Sequence, residues 1–453
     1  MNGREHHLLP DVWSRSDRLV PRRVVQPMLR FADLEASAGI VMLLAAIAAL
    51  IWANSPWHAA YERLWETHLV VELGDVLHID HLTLRDWVND LLMALFFYVV
   101  ALEIKRELVR GELRDPRAAA LPALAALGGM VVPAAIYLLF NAGGAGSNGW
   151  GIPMATDIAF AVGVVSLVGN RVPSGAKLFL LTLAIVDDLG AILVIAIFYT
   201  EALSFGWLAV GIAALAAAFL LQRRDVRSLA PYIGLAGVCW LAVLESGVHA
   251  TLAGVAFGLL TPTRAFYSRS QFGAVTRELV TRIERHVEGD EYEEEETESA
   301  LRDIARFSTE MEAPLDRLEH RLSPWATYIV VPIFAFANAG VHVTGDTIGD
   351  AVGSPVTLGI VLGLVVGKTV GVFGFTWLAD RLRVGRLPSG VTTSQVFGLA
   401  ILAGIGFTVA LFIANLSFSD AALTDLAKIG ILAGSLVAGV VGYTVLRATA
   451  RSG

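Results

Sequence analysis

The sequence of 453 residues has a single cysteine, Cys239, and only four lysines. One cysteine excludes an intrachain disulfide and any metal cluster built on cysteine thiolates. Cys239 lies in an apolar segment, where packing is its expected role. The first 30 residues also lack an apolar core of signal-peptide length, because arginines, acidic residues and three prolines are mixed through them. We therefore expect an uncleaved cytoplasmic tail at the N-terminus.

Charged residues are scarce as well. Asp, Glu, Lys and Arg make up 17% of the sequence, whereas hydrophobic residues make up 55% and the mean hydropathy is +0.62. A soluble globular domain is far more polar than this. The composition predicts an all-α polytopic membrane protein.

The formal net charge of −8 comes from one segment. Between Glu284 and Glu319 there are 14 acidic and 4 basic residues, so the rest of the chain carries 30 basic and 28 acidic residues. Such a charge run is typical of a solvated, disordered spacer. We predict an acidic cytoplasmic loop over residues 261–323, and a regulatory role for it stays open because it leads directly to Glu319.

Apolar windows of about 20 residues predict twelve transmembrane helices. They lie at roughly 36–53, 86–104, 119–140, 149–169, 175–199, 203–221, 229–243, 246–260, 325–342, 356–379, 393–416 and 424–446. Lys and Arg concentrate after spans 2, 4, 6, 10 and 12, so the positive-inside rule places both termini in the cytoplasm. The predicted division is a tail at 1–35, spans 1 to 8 within 36–260, the acidic loop at 261–323, spans 9 to 12 within 324–448 and a C-terminal end at 449–453.

Two adjacent aspartates, Asp187 and Asp188, interrupt the fifth span, LFLLTLAIVDDLGAILVIAIFY. A carboxylate at bilayer depth costs about 2.5 to 3.5 kcal/mol on insertion scales, so a pair requires a partner, protons or a bound cation. Neighbouring helical residues point about 100° apart, so the two carboxylates face different surroundings. The pair predicts an ion or proton pathway.

Spans 4 and 11 are poor as continuous helices. Span 4 contains a proline followed by Thr156 and Asp157, and span 11 has Gly404 and Gly406 at its centre. Close packing is the alternative explanation for isolated glycines in membrane helices. Both spans are the middle members of three-span units, 3 to 5 and 10 to 12, which predicts inverted-topology repeats with two interrupted, crossing helices. Facing N-termini could be neutralised by Asp157, and facing C-termini by Lys368.

Lys368 lies in span 10, too far from either end to reach the interface easily. A lysine near a helix end that extends to the interface is the alternative. As an intramembrane cation, Lys368 is predicted to form an ion pair with one carboxylate of Asp187 and Asp188, which leaves the other carboxylate to a transported cation.

Seven segments occur in this order along spans 2 to 11: VNDLLMALFFYVVALEIKREL, MATDIAFAVG, LAIVDDLGAI, SGVHATLAGV, PIFAFANAGV, GKTVGV and AGIGFTVALFIA. Together they resemble the NhaA family of bacterial Na⁺/H⁺ antiporters. The resemblance covers most of the chain, and its motifs are highly specific. Inverted repeats are a known property of this family, so the architecture above is not independent of the resemblance.

The resemblance implies roles for residues of the ion site. Asp188 would be the principal ligand of the transported cation. Asp187 would exchange protons and pair with Lys368. Thr156 and Asp157 would occupy the crossing of the interrupted helices, with Asp157 compensating helix dipoles rather than binding the ion directly. The two central glycines of span 11 would form the second half of that crossing.

The resemblance also implies an approach to the site and a pH-sensing region. Asp90 in span 2 would line the cytoplasmic approach. The pH-sensing residues are charged or titratable side chains: Glu103, Arg106, Glu107, His249 and Glu319. A solvated cluster with structural ion pairs is the alternative for the charged residues, and a hydrogen-bonded packing residue is the alternative for His249.

The chemistry of the residues agrees with Na⁺/H⁺ exchange. Na⁺ and Li⁺ are hard cations that prefer oxygen ligands, so a carboxylate, backbone carbonyls and water suffice without a cofactor. Protons and Na⁺ compete for the same buried carboxylate, and this competition couples the two fluxes. Release of two protons for each Na⁺ would make the exchange electrogenic. We expect a pH-regulated secondary transporter, not an enzyme.

The expected partners are Na⁺, Li⁺, protons, the lipid bilayer and, by the family resemblance, a second copy of the chain, with no nucleic acid. The expected location is the bacterial inner membrane. Two features depart from the family pattern. The connection at 261–323 is longer, and Ser323 stands in HRLSPW where a histidine is expected. Both departures concern the pH threshold rather than the ion site.

Two other classes of membrane protein are alternatives to an antiporter. An intramembrane aspartyl protease needs its two aspartates on separate helices, commonly with a GxGD-type motif that this sequence lacks. A sodium-coupled organic-anion symporter of similar fold is the closer alternative, and it would have a larger polar substrate cavity. The aspartate pair with an intramembrane lysine favours proton antiport.

Overall fold

The computed structural model describes residues 36–449 except 74–76, 201–202, 227, 266–276, 279, 282–298, 300–301, 305–309, 386 and 389. The predicted tail at 1–35, residues 450–453 and most of the acidic run lie outside the described residues. The described part is almost entirely helical, as expected for an all-α polytopic membrane protein. One small antiparallel sheet departs from the all-α expectation: Val71–Leu73 (β1) pairs with Leu77–Ile79 (β2).

Most of the described helices follow one another with short connections, and the longest connection is residues 261–313. In chain order they are Ser37–Ala53 (α1), His58–Trp65 (α2), Leu84–Arg110 (α3), Pro116–Asn141 (α4), Ile158–Val168 (α5), Ser174–Phe198 (α6), Phe205–Arg223 (α7), Leu229–Leu244 (α8), Thr251–Leu260 (α9), Pro314–Trp325 (α10), Val331–Asn338 (α11), Gly345–Gly353 (α12), Pro355–Arg381 (α13), Thr393–Leu402 (α14), Phe407–Ser417 (α15) and Ala421–Thr449 (α16). Short 3₁₀ helices occupy Glu112–Arg114, Ser147–Met154 and Gly169–Arg171.

Within the described residues, seven helical segments are long and apolar enough to cross a membrane, and two bent pairs raise that number to nine. The bent pairs are α1 with α2, at 117°, and α14 with α15, at 44°. Large apolar side chains on these helices face outward, among them Leu139 at 83% and Ile197 at 68% exposure. Such exposure is unfavourable in water and is expected for helices that contact lipid.

Capping residues explain where several helices begin. The backbone N–H of Asp86 donates to Thr83 Oγ1 at 3.2 Å, and the N–H of Thr83 donates to Asp86 Oδ2 at 2.9 Å, which forms a capping box at the start of α3. Asp115 caps α4, whose first residue is Pro116. The largest difference from the sequence prediction is α10, which begins at Pro314 within the segment predicted as a loop. Its many charged residues hid it from a search for apolar windows.

In the described part of the chain, three π-helical turns interrupt the regular hydrogen-bond pattern. They are Val88–Leu92 in α3, Ala326–Val330 between α10 and α11, and Gly363–Gly367 in α13. Turns of this kind are frequent at functional sites. The turn in α13 ends immediately before Lys368.

α4 packs against α13 at backbone contact distance. A Cβ atom on Gly371 would lie 2.1 Å from the carbonyl oxygen of Gly128, and one on Gly128 would lie 2.4 Å from the carbonyl oxygen of Gly371. Helices approach this closely in membranes only where both lack side chains. The same crossing brings Lys368 against Gly129, where an added Cβ would lie 3.6 Å from Lys368 Cδ.

Two groups of buried apolar residues form the interior of the described structure. The larger group joins α1 to α6 with α11 and α13 to α16. The smaller group packs α7, α8 and α9 against α3 and contains Cys239, which is fully buried. The charged residues of the candidate site lie among the helices of the larger group.

Candidate functional site

α6 contributes two adjacent carboxylates to the interior. Asp187 is 1% and Asp188 is 3% exposed, so both are removed from bulk solvent. Their side chains leave the helix in different directions, since successive residues are rotated by about 100°. The structure therefore gives each carboxylate its own set of neighbours.

Asp187 forms an ion pair with Lys368 of α13. Lys368 Nζ donates to Asp187 Oδ2 at 2.7 Å, and the Lys368 side chain is fully buried. The other oxygen, Asp187 Oδ1, is buried and accepts no hydrogen bond from the described residues. Thr156 lies beside it, but its hydroxyl donates to the carbonyl oxygen of Ala403 at 2.8 Å. Asp187 Oδ2 is thus paired with Lys368, whereas Asp187 Oδ1 has no donor in the described chain.

Asp188 has no hydrogen-bond donor among the described residues. Three carboxylates interact with it electrostatically, those of Asp187, Glu103 and Asp157, and Lys368 is the one cation among its strong electrostatic partners in the described chain. A carboxylate with four unused lone-pair positions has capacity for a proton or a hard cation. Its acidic surroundings favour either of these positive charges.

Asp157 lies where the helical segments Ser147–Val168 and α14 with α15 are both broken. Its Oδ1 accepts from the N–H of Phe160 at 3.0 Å, in the first turn of α5. Its Oδ2 accepts from the N–H of Thr408 at 3.2 Å and from the Thr408 hydroxyl at 2.5 Å, at the start of α15. One carboxylate therefore caps two helix N-termini, whose partial positive charges it neutralises.

The chain around the two breaks is held by backbone contacts. The N–H of Asp157 donates to the carbonyl oxygen of Ile405 at 2.6 Å. A Cβ atom on Gly404 would lie 2.2 Å from the carbonyl oxygen of Leu364, so only glycine fits there. Gly406 is close to the carbonyl oxygen of Ala155. The two breaks are thus held against each other at the level of Asp157.

Comparison with known proteins identifies the family. The family model described as Na⁺/H⁺ antiporter 1 matches residues 29–446. This chain belongs to that family.

Individual relatives agree and confirm the resemblance predicted from the motifs. The Na⁺/H⁺ antiporter NhaA of Oleidesulfovibrio alaskensis is 46% identical over 431 residues, which cover 95% of each chain. The NhaA protein of Koribacter versatilis is 46% identical over 435 residues, 96% of this chain and 94% of the relative. NhaA 3 of Frankia alni is 47% identical over 425 residues, 93% of this chain and 89% of the relative.

In this member of the antiporter family, four of the residues predicted for pH sensing lie together at the end of α3. Arg106 forms ion pairs with Glu319 of α10 and, at 3.6 Å, with Glu107, while Glu103 interacts electrostatically with all three. Burial raises the pKa of Glu319, and the Arg106 guanidinium opposes that rise. Glu103 also interacts with Asp188, so this cluster is electrostatically connected to the buried aspartates.

His249 does not belong to that cluster. α9 runs parallel to α3, because Gly254 packs on Ala94 and Gly258 packs on Ala101. His249 precedes α9, and its Nε2 forms a hydrogen bond with the carbonyl oxygen of Tyr199 after α6. It therefore lies near the opposite end of α3 from the cluster. The structure corrects the prediction that placed all five titratable residues in one region.

Asp90 also lies away from that cluster. It lies in the π-helical turn near the start of α3, thirteen residues before Glu103, which corresponds to about 20 Å along the helix. Trp240 Nε1 donates to the Asp90 carbonyl oxygen at 3.1 Å. Asp90 and Glu103 cannot both face the same end of the membrane. Because the basic residues follow Glu103, Asp90 lies at the end of α3 away from them, and its place on the cytoplasmic approach stays a prediction.

The sequence did not reveal two further sets of contacts. One is Thr408, which binds Asp157 through its hydroxyl. The other is a chain of amides in which Asn415 Nδ2 donates to Asn338 Oδ1 at 2.7 Å and Asn338 Nδ2 donates to Asn89 Oδ1 at 2.8 Å. Polar residues in apolar helices were the available signal, but nothing in the sequence indicated which of them meet.

Proposed function

We propose that this protein exchanges Na⁺ or Li⁺ for protons at the buried carboxylates of α6. The observation that carries the proposal is the state of Asp188, which is 3% exposed and has no hydrogen-bond donor among the described residues. Structural carboxylates in protein interiors are hydrogen-bonded. A buried carboxylate with free oxygens, in a family of Na⁺/H⁺ antiporters, fits a site that is occupied by the transported ion.

Asp188 would be the principal ligand of the cation. Na⁺ and Li⁺ require several oxygen ligands, and Asp188 can be joined by Asp187 Oδ1, by backbone oxygens near the two breaks and by water. No resident cofactor is needed for this chemistry. Softer metal ions would find no thiolate or imidazole ligand in the proposed set.

Asp187 and Lys368 would form the proton-exchanging pair. In the ion-paired form Asp187 is ionised and Lys368 is charged. A proton added at Asp187 would neutralise its carboxylate and release Lys368 from the contact. Cation binding at Asp188 opposes protonation of both aspartates, because the positive charges compete for the same oxygens. Binding of one ion therefore favours release of the other, which is the coupling that exchange requires.

Two proton-binding groups at the site support an electrogenic cycle. If Asp188 and the Asp187–Lys368 pair each release a proton when one Na⁺ binds, each cycle moves one net charge. An inward proton gradient with a negative interior would then expel Na⁺. This arrangement serves sodium and pH homeostasis.

We further infer twelve transmembrane spans with inverted-topology repeats. The nine spans counted by length and apolarity would be joined by the shorter apolar helices α8 and α9, and by α11 with the π-helical turn before it. The units α4 to α6 and α13 to α16 each have a broken middle member. Asp157 caps a helix N-terminus at each of the two breaks. This shared cap supports a crossing of the two broken helices.

The cluster of Glu103, Arg106, Glu107 and Glu319 is proposed as the pH-sensing region. Its electrostatic link to Asp188 through Glu103 supports this role. The basic residues at the same end of α3 support a cytoplasmic position for it. Inner-membrane location, cytoplasmic termini and a homodimer stay predictions.

Everted membrane vesicles with an imposed pH gradient test the exchange. Na⁺ or Li⁺ added to vesicles with the wild-type protein should collapse the gradient, and K⁺ should not, because a larger cation fits the carboxylate site less well. Asp188→Asn should abolish the response to Na⁺. Asp350→Asn, an exposed position in α12, is the matched control and should behave as wild type. An equal response to K⁺ and Na⁺ would contradict the assigned selectivity.

Electrogenicity is tested in proteoliposomes with a potassium diffusion potential. Na⁺ efflux against inward protons should accelerate when the compartment that receives the protons is made negative, because each cycle carries net positive charge inward. The initial rate is measured at several imposed potentials. A rate that does not depend on the potential would rule out two protons per Na⁺.

A further inference from the structure

Tyr199 directly follows α6, the helix that carries Asp187 and Asp188. It is 8% exposed, and its backbone N–H donates to the carbonyl oxygen of Ile195 at 3.2 Å. Its own carbonyl oxygen forms the hydrogen bond with His249 described above. The main chain of Tyr199 is therefore held on both sides, which fixes the direction in which its side chain extends.

The Tyr199 hydroxyl bridges one turn of the 3₁₀ helix Ser147–Met154. It donates to the carbonyl oxygen of Asn148 at 2.8 Å, and the N–H of Gly151 donates to it at 3.3 Å. These two backbone groups belong to residues three apart, so they are the acceptor and the donor of a single 3₁₀ turn. One hydroxyl can serve both groups, because it has one O–H and two lone pairs.

The 3₁₀ helix requires support from outside. Runs of more than three or four residues are uncommon because the hydrogen-bond geometry is poor, and this one has eight residues. Tyr137 of α4 supports its beginning, since the Tyr137 hydroxyl donates to the carbonyl oxygen of Gly146 at 2.6 Å. Tyr199 supports its middle, where a Cβ atom on Gly151 would lie 2.7 Å from Tyr199 Oη. The glycine thus leaves the space that the hydroxyl occupies.

The same hydroxyl reaches the end of α15. The Ser417 hydroxyl donates to the carbonyl oxygen of Ile413 at 2.7 Å and lies 3.3 Å from Tyr199 Oη. A Cβ atom on Gly151 would lie 3.4 Å from Ile413 Cγ2. Tyr199, the 3₁₀ helix and the last turns of α15 therefore pack together.

These contacts complete a ring of connections around the proposed ion site. The 3₁₀ helix continues into Thr156 and Asp157, and Asp157 binds Thr408 at the start of α15. The other end of α15 lies beside Tyr199, which follows Asp188 by eleven residues, about 17 Å along α6. The Tyr199 hydroxyl thus joins both broken helices to the helix that carries the ion-binding carboxylates.

We propose that Tyr199 is a positioning residue for cation binding: its hydroxyl holds the 3₁₀ helix in register with α6 and so sets the place of Thr156 and Asp157 against the two aspartates of α6. This inference rests on the exchange site proposed above. The ligands of an ion site must be held to within about 0.5 Å by the groups that support them. Loss of such a supporting group commonly costs roughly 10- to 100-fold in metal affinity.

A Na⁺ titration of the gradient collapse in everted vesicles, at one pH, tests this role. Tyr199→Phe removes the hydroxyl and keeps the ring that stacks on Trp150, with 6.4 Å between the ring centroids. The half-maximal Na⁺ concentration should rise about tenfold, whereas the response at saturating Na⁺ should stay close to wild type, because the carboxylates themselves are unchanged. A hydroxyl that served folding alone would lower the saturating response and leave the half-maximal concentration as it was.

Tyr232→Phe is the matched control. The Tyr232 hydroxyl also donates to a backbone carbonyl oxygen, that of Val226, at 2.8 Å, but it belongs to α8 in the smaller apolar group. Its removal should leave the half-maximal Na⁺ concentration unchanged.

Gly151→Ala tests the same contact without altering Tyr199, so the proposal stays testable if Tyr199→Phe does not fold. The added Cβ atom would press on Tyr199 Oη and should raise the half-maximal Na⁺ concentration. In the double variant the obstructing oxygen is gone, and the nearest remaining atoms are Tyr199 Cε2 at 3.3 Å and Ile413 Cγ2 at 3.4 Å. The double variant should therefore respond to Na⁺ no worse than Tyr199→Phe alone.

Three outcomes would overturn the role of Tyr199: a wild-type half-maximal Na⁺ concentration in Tyr199→Phe, an equal rise in Tyr232→Phe, or additive rises in the double variant. Failure of the exchange site gives a different result. If Asp188→Asn kept the Na⁺ response, the proposed site would be wrong and the positioning role would fall with it.

Discussion

Equal burial does not give the three aspartates of the site equal roles. Asp157, Asp187 and Asp188 are each at most 3% exposed, yet they differ in their partners. Asp157 accepts three hydrogen bonds from two helix starts, Asp187 has one ion pair, and Asp188 has no donor in the described chain. The number of satisfied lone pairs therefore separates a structural carboxylate from those that are free to bind ions.

The Asp187–Lys368 pair predicts a non-additive effect of mutations on stability. Lys368→Met leaves Asp187 buried without its cation, and Asp187→Asn leaves Lys368 without its anion, so each should destabilise the protein by about 3 to 5 kcal/mol. The double variant removes both charges and should be less destabilised than either single variant. Thermal or denaturant unfolding in detergent measures all four proteins.

This double-mutant cycle measures stability alone. Transport by the four proteins has to be measured separately, because both residues belong to the proposed exchange site. A double variant that is stable and inactive agrees with an ion pair that serves transport. Additive destabilisation in the cycle would contradict the contact at 2.7 Å as the main interaction of these residues.

The charged residues of the site were predictable from the sequence together with Thr156, Gly404 and Gly406, whereas Thr408 was not. Asp157, Asp187, Asp188 and Lys368 stand out because a charge in an apolar span is costly and therefore conspicuous. Thr408 does not stand out, because threonine in a membrane helix commonly bonds to its own backbone. Its role depends on how two distant segments meet, which spacing along the chain does not reveal.

Most helix boundaries were predictable, whereas irregularities within the helices were not. Hydropathy located the apolar helices to within a few residues, because lipid imposes their length. The π-helical turns have no compositional signature, and α10 is too charged for an apolar window. The tight contact of α4 with α13 was also invisible, since glycine is common in membrane helices for several reasons.

The close packing of α4 against α13 predicts that alanine substitutions at two glycines of α13 differ in their effect on stability. Gly371→Ala would place a Cβ atom 2.1 Å from the carbonyl oxygen of Gly128, so the helices must separate and the protein should lose about 1 to 3 kcal/mol or more of stability. Gly374→Ala meets nothing within 4 Å and should be close to neutral. Melting temperatures in detergent compare the two, and equal values would contradict the described contact.

Across the whole molecule, the two ends of the helices carry different chemistry. One end of α3 holds Glu103, Arg106 and Glu107 with Glu319, and the other end holds Asp90, with His249 nearby. Motif membership alone could not separate them, because a motif fixes the identity of a residue but not the end at which it lies. Helix direction supplied the missing information once α9 was seen to run parallel to α3.

The raised pKa of Glu319 predicts a pH-dependent loosening of α10. Burial outweighs Arg106, so the folded protein binds a proton at Glu319 more tightly than the unfolded chain does. Its stabilising contribution is complete at low pH and is lost as the pH rises through the raised pKa. Hydrogen exchange in residues 314–325 should therefore speed up more steeply with pH in wild type than in Glu319→Gln.

Comparison at each pH removes the intrinsic pH dependence of exchange. Glu312→Gln, an exposed position just before α10, is the control and should retain the wild-type slope. Identical slopes in wild type and Glu319→Gln would exclude Glu319 as the titrating group.

The π-helical turn before Lys368 offers a way to break the ion pair by rotating part of α13. A π turn holds one residue more than an α turn, so converting Gly363–Gly367 to regular α-helix would rotate one half of α13 by about 100° relative to the other. Lys368 could then turn away from Asp187 without any movement of the helix axis. Loss of the extra residue would disconnect the pair, and because Gly371 lies in the same half of α13 as Lys368, it would also disturb the contact of Gly371 with Gly128.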